Sequence, residues 1–231
     1  MPPRREPGGA AAAANPAAVM AARIARAERG KGRRLRDYAP GTRIVASDPM
    51  GPRVGLPREY TYVTEARPGR DFDPEFKPAY TPGEMLSLGV FSGKYLNDCV
   101  EEFPLEWFEA ALARDKLRPG APDPAVNLFG VRSRKPLGYW VEKGWIKITP
   151  EARDARGWFQ WYCRYWLGRR QPAVDEVQIK RWKAFARHEG QIVASYAKLK
   201  PSEVPKTRAE KSKHRPRQRQ ALLQWARNPW R

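Results

Sequence analysis

Twelve basic side chains in the second half of the chain are the residues best equipped to do chemistry. They are Arg164, Arg169 and Arg170, then Lys180, Lys183, Arg187 and Lys198, then Lys211, Lys213, Arg215, Arg217 and Arg219. Guanidinium forks and ammonium groups are the natural partners of phosphate oxygens. Lys180, Lys183, Arg187 and Lys198 recur at helical spacing, so one continuous helix would set them on a strip opposite its apolar face. The charge balance points the same way. Residues 131–231 carry 25 Lys+Arg against 8 Asp+Glu, whereas residues 81–130 carry 4 against 8, within a chain of net charge +19. A folded core needs no such excess, and self-repulsion opposes it unless a polyanion neutralises it. The pattern implies contacts to the phosphates of DNA or RNA, with little sequence readout.

The carboxylates offer a competing chemistry. Asp98, Glu101 and Glu102, followed by Glu106 and Glu109, form the acidic concentration of the sequence. A metal-dependent enzyme acting on nucleic acid or nucleotides would need two or three of them converging on one cation. Pro104 interrupts the helix that would bring them to one face, so solvated faces balancing the basic half are the plainer reading. A third reading is a structural component of a ribonucleoprotein. Three other arrangements fall away. Ser92-Gly93-Lys94 has Tyr95 where a phosphate loop needs Ser or Thr. Cys163 and His188 could pair as nucleophile and base, but Cys163 sits on an apolar arc. A helix-turn-helix around Gly89–Gly93 would read DNA with the acidic part of the chain. Two cysteines far apart make neither a zinc site nor a disulfide scaffold, and no motif points to a cofactor. No apolar run is long enough to span a membrane. A reducing intracellular compartment, nucleus or cytoplasm, is the expectation from cysteine usage.

The element that must position these groups is Gly157–Arg170, GWFQWYCRYWLGRR, in which six of the nine residues Trp158–Trp166 are aromatic. On a helix, Trp158, Phe159, Trp161, Tyr162, Cys163, Tyr165, Trp166 and Leu167 fill one broad arc, leaving Gln160, Arg164 and Gly168 outside it. Aromatics beside arginines could stack bases, but rings on nearly every side cannot all face a ligand. The segment is therefore expected to be core, with one ring edge (Trp158 or Trp166) left for a surface.

Around it the sequence predicts further helices. Thr81-Pro-Gly-Glu84 is a capping box. A helix is expected from Lys94 to Glu102, another from Pro104, and a short one over 136–143 with Gly144 as its left-handed stop, Trp145 and Ile146 folding back over it. Asp154 is the expected N-cap of the aromatic helix. Val174–Leu199 reads as one long helix, and Gln218–Ala226 as a last short one. Upstream, residues 1–40 read as a disordered basic arm, or as an organelle transit peptide with a basic helix over 17–36. Residues 41–80 read as an extended Pro/Gly-rich arm lying along the domain, in which β-prone Glu59–Thr64 could belong to one small hairpin.

The blocks LGVFSGKY (88–95), GWFQWYCRYWLGRR (157–170), QIKRWKAFARH (178–188) and RPRQRQALLQWA (215–226) resemble a family of small basic proteins of uncharacterised function. That resemblance covers about residues 81–226 and implies a shared domain with variable N-terminal arms, without bringing an activity, ligand or catalytic residue. The expected fold is mainly α: a compact multi-helix domain over 81–231 behind an extended or disordered N-terminal arm.

Overall fold

The structure, a computed structural model, describes residues 15–133, 137–144 and 153–231. In chain order they form α1 (Pro16–Arg29), an antiparallel hairpin of β1 (Arg43–Ser47) and β2 (Glu59–Val63), α2 (Pro82–Ser87) and α3 (Leu105–Ala113). α4 (Leu137–Glu142), α5 (Trp158–Trp166), α6 (Pro172–Ala184), α7 (Arg187–Tyr196), α8 (Arg208–Lys213) and α9 (Pro216–Gln224) follow. The described chain is mainly α, as expected.

The aromatic helix α5 is the centre. Every residue from Trp158 to Tyr165 is buried, Gln160 and Arg164 included. Phe76 fills the middle of a ring cage, its centroid 5.0–6.4 Å from Trp158, Trp161, Tyr162, Tyr165 and Trp182, all edge-on. Edge-to-face geometry suits the quadrupoles of these rings. The polar tips are satisfied: Trp161 Nε1 donates to Asp175 Oδ1 at 2.8 Å and Tyr162 Oη to the Tyr80 carbonyl at 2.7 Å. Trp158 is buried with its ring tilted against Trp225, whereas Trp166, edge-on to Trp107, is half-buried and is the ring that keeps an edge at the surface. Gly157, with φ +79°, caps the helix in place of Asp154, whose carboxylate is engaged elsewhere. Beyond the helix, Gly168 (φ +105°) brings its carbonyl to the Glu65 N–H at 2.7 Å; a Cβ there would meet the Ala66 carbonyl oxygen at 2.0 Å.

Residues 16–80 pack into this core more closely than an arm laid along the domain, while the helix read within 17–36 forms as α1 and the one small hairpin as β1–β2. α1 begins where Asn15 Oδ1 accepts from the Ala17 N–H and Pro16 opens the first turn. Its Met20, Ile24 and Ala27 form a buried stripe that packs on α3. The chain then pairs with the start of α3, the Leu105 N–H donating to the Arg33 carbonyl at 2.9 Å. Arg34 bonds Glu109 at 2.8 Å, and Glu106 accepts from the Leu35 N–H at 3.1 Å. The acidic face of α3 is thus the docking surface of the N-terminal segment rather than a solvated face. The hairpin turns Ile44, Ala46 and Tyr62 inward. Helical periodicity finds α1 but misses the packing of residues 41–80, because the buried residues there are single anchors in irregular chain, recognisable only by what covers them. Residues 1–14 lie outside the described residues.

Two expected helices are corrected. Lys94–Glu102 is not α-helical, because Phe91 and Ser92 have φ +60° and Leu96 φ +63°. Left-handed backbone at non-glycine residues costs roughly 1–2 kcal/mol each and persists only where surroundings impose it. Here Asn127 Oδ1 accepts from the Ser92 N–H at 2.7 Å, and Gly89 lies where a Cβ would be 1.9 Å from the Val126 oxygen. The expected long helix divides into α6 and α7. Arg227 Nη1 takes the Trp182 carbonyl at 3.1 Å, and the Ala186 N–H turns to the Lys183 carbonyl instead. A side chain entering the backbone ladder is a recognised cause of such a break. α4 and the left-handed Gly144 agree with expectation, while Trp145 and Ile146 lie outside the described residues.

Candidate nucleic-acid interface

The structure separates the twelve basic residues into two classes. Arg164 is wholly buried: its Nε and Nη2 grip Glu102 at 2.5 and 3.0 Å, and its Nη1 reaches Asp154 at 2.9 Å. Arg169, also buried, holds the other edge of Asp154 at 2.7 Å. Two guanidiniums and two carboxylates form a closed neutral group beside Tyr60 and Tyr62. Burial disfavours the charge on Arg164, yet the two carboxylates overcome it and hold the proton more firmly than in water. Arg219 is buried too, donating to the carbonyls of His214 and Pro229 and to Tyr196 Oη, and so ties the last residues onto α7 and α9. Arg170 lies over the Tyr165 ring at 4.1 Å and donates to the carbonyls of Tyr165, Arg70 and Asp71. The expectation that Arg164, Arg169 and Arg219 hold phosphates is therefore corrected: they are buried and hold the fold, while half-buried Arg170 spends its donors on backbone carbonyls. α5 has no solvent side, so an arginine on it had to be buried with a carboxylate.

Two more are partly committed, Lys183 to Glu75 at 2.7 Å and Lys211 to the Trp230 carbonyl at 2.7 Å. Six remain. Lys180, Arg187, Lys198, Lys213, Arg215 and Arg217 are exposed, and none has a carboxylate within ion-pair distance among the described residues. Five of the six stand on α7, α8 and α9 or in the two connections between them, and α7 and α8 each pack on α9 to form one lobe. Gln218 Nε2 bonds Gln191 Oε1 at 2.9 Å, a turn from Arg187, and His214 Nε2 meets Ser195 Oγ at 2.7 Å, a turn from Lys198. Lys180 lies beyond the break, on α6. Exposed Lys200 and Lys206, in the connection before α8, and Arg208, its first residue, belong to the same lobe; composition alone could have added them.

The Ser195–His214 contact is structural. Ser195 is buried and donates to the Ile192 carbonyl at 2.6 Å, so the imidazole is the donor toward Ser195. Burial, then Arg219 and Arg215, push the His214 pKa below its ordinary value and keep it neutral. The carboxylate chemistry loses its ligands. Glu102 belongs to Arg164, and Asp98 pairs with Arg156 at 2.9 Å; Glu101 is exposed. No group of His, Cys, Asp and Glu able to hold a metal occurs among the described residues. Burial pushes the Cys99 and Cys163 thiols well up, away from nucleophilic thiolate. No helix among the described residues is long and apolar enough to cross a membrane. Comparison with protein-family models, curated proteins and solved structures returns no match.

Proposed function

We propose that the protein binds the phosphate backbone of DNA or RNA through the α7–α9 lobe. The observation that carries this reading is the set of exposed, carboxylate-free cations Arg187, Lys198, Lys213, Arg215 and Arg217 on α7, α8, α9 and their connecting turns, with α7 and α8 each packed on α9 and Lys180 extending the set. From residue 172 to 231 there are fifteen Lys+Arg against five Asp+Glu, and the buried arginines consume only part of that excess. Side chains that end in solvent on a helical surface reach backbone phosphates rather than base edges, so affinity is expected with little sequence preference.

Titration of labelled duplex and single-stranded oligonucleotides at several salt concentrations tests the reading. If five or six phosphates are neutralised, log K falls against log salt with a slope of about −5 on duplex DNA. The double variant Arg215→Gln, Arg217→Gln should flatten that slope by about 2 without changing the fold, since both side chains are exposed. A slope near zero, or one unmoved by the variant, rejects the interface.

A further inference from the structure

A second basic feature lies away from the α7–α8 surface. A cavity of about 570 Å³ opens where α1, the turn after β1, the left-handed turn at 91–93, the connection before α4, Arg156 ahead of α5 and the end of α9 converge. Cavities of this size take ligands of nucleotide dimensions. Its walls carry Arg23, Arg53, Lys94, Arg132 and Arg156, against the single carboxylate Asp98. Asp98 is spent on Arg156, which also grips Asp48 at 2.7 Å. Burial would lift the Asp48 carboxyl, but Arg156 and Gln160 hold it below its usual range, so this part of the wall sets one guanidinium against two carboxylates. Arg23 leans on the Asn97 carbonyl at 2.8 Å. Arg53, Lys94 and Arg132 are exposed, and none has a carboxylate partner among the described residues. Arg23, Arg53, Lys94 and Arg132, four cations drawn from separate segments, thus face one concavity and outweigh that surplus carboxylate. Low-dielectric walls strengthen the field there and concentrate anions.

Two further observations point to a ligand with hydrogen-bonding groups besides its charge. Asn97, only 2% exposed, lines the cavity; its Nδ2 donates to the Gly93 carbonyl at 2.8 Å, while its Oδ1 has no partner. Ser133 Oγ, buried in the same wall, has none either. Unpaired buried polar atoms are uncommon in a finished core and need an explanation. The wall that holds Ser92 and Lys94 is also the one with consecutive left-handed residues, and such backbone clusters at binding sites.

We propose that this cavity binds a phosphomonoester of nucleotide size. Arg53, Lys94 and Arg132 take the phosphate; Asn97 Oδ1 accepts from a hydroxyl or amino group of the same ligand, and Ser133 Oγ completes the set. The phosphomonoester could arrive as a free nucleoside monophosphate or as the 5′-phosphate end of a nucleic-acid strand. The site stands whether or not the α7–α9 lobe binds nucleic acid, because no basic residue is shared.

Calorimetric titration of the full chain with 5′-AMP, adenosine, inorganic phosphate, and a short oligonucleotide with or without its 5′-phosphate tests the proposal. Expected is saturable binding of 5′-AMP or of the 5′-phosphorylated oligonucleotide. Adenosine or the 5′-hydroxyl strand should bind at least about tenfold more weakly, the loss expected from a charge-assisted contact. The exposed double substitution Lys94→Gln, Arg132→Gln should remove that preference while leaving the salt slope on long duplex DNA unchanged; Arg215→Gln, Arg217→Gln should do the reverse. AMP preferred over the strand end assigns a small-molecule site, and the opposite order a strand-end site; either supports the cavity. The proposal is overturned if neither phosphomonoester binds below about 1 mM, if inorganic phosphate binds as tightly as both, or if the Lys94/Arg132 variant keeps the preference.

Discussion

Arg164 illustrates how a basic protein spends its charge. Two carboxylates from distant parts of the sequence, Glu102 and Asp154, close around it and Arg169 with no water-exposed edge. Removing one member of such a group leaves an uncompensated buried ion, which costs far more than the pair contributes over an apolar replacement. Glu102→Gln keeps the shape but leaves two guanidiniums sharing Asp154, so a loss of about 3–5 kcal/mol in urea unfolding is expected. A loss below about 1 kcal/mol would mean that water or a rearranged carboxylate neutralises Arg164, as at an exposed pair. The histidines give a second residue-scale test. His214 and His188 both have pKa values pushed below the ordinary 6.5 by burial first and nearby arginines second. The unfolded chain takes up protons as pH falls through its value while the folded chain does not. Their contribution is therefore whole above about pH 6.5 and is lost as pH falls toward the depressed folded values. The melting temperature should drop between about pH 7.5 and pH 5.5, and the drop should shrink in His188→Gln, His214→Gln. An equal drop in the double variant would assign the effect to other groups.

At the scale of elements, the sequence announces what is periodic and hides what is singular. The capping box at Thr81 is present as read, Thr81 Oγ1 accepting from the Glu84 N–H at 3.2 Å and Glu84 Oε2 from the Thr81 N–H at 2.7 Å. The helix after Pro104 and the burial of the aromatic helix were legible for the same reason: several residues state one pattern. The basic lobe was legible as a charge surplus but not as a surface, since composition cannot tell Arg217, in solvent, from Arg219, two residues on and buried. The cavity was less legible still. Its cations come one each from separate segments, and the left-handed turn at Phe91 and Ser92 leaves only Gly89 and Gly93 as traces in the sequence. Phe76 is the sharpest singular anchor, flanked by Glu75 and Lys77 in Pro-rich chain, yet at the centre of five rings. Phe76→Ala should cost about 3–5 kcal/mol, near the largest values for core truncations. The α1 segment should loosen with it only if the two share one cooperative unit, which hydrogen exchange of Met20 and Ile24 amides would report. A cost under about 1 kcal/mol would show that residues 64–80 rest on the domain without filling it.

Across the whole molecule, the same cations should give salt two opposite effects. The buried groups around Arg164 and Arg156 are shielded from mobile ions, so salt leaves their contribution nearly intact. The surplus that makes the net charge +19 sits mainly in solvent, where cations repel one another over distances comparable to the Debye length, about 10 Å at 0.1 M salt. Screening should therefore stabilise the free protein, raising its melting temperature between about 0.05 M and 0.5 M salt, while affinity for nucleic acid falls over the same interval. Polyanion at low salt should mimic the rise, since a ligand bound only by the folded state stabilises it by mass action. Arg215→Glu, Arg217→Glu should weaken both responses together, because one set of side chains causes them. A melting temperature that falls with salt would show the exposed arginines and lysines to be engaged in attractive pairs on the folded surface. No unsatisfied cation field would then remain on the α7–α9 lobe for phosphates to neutralise.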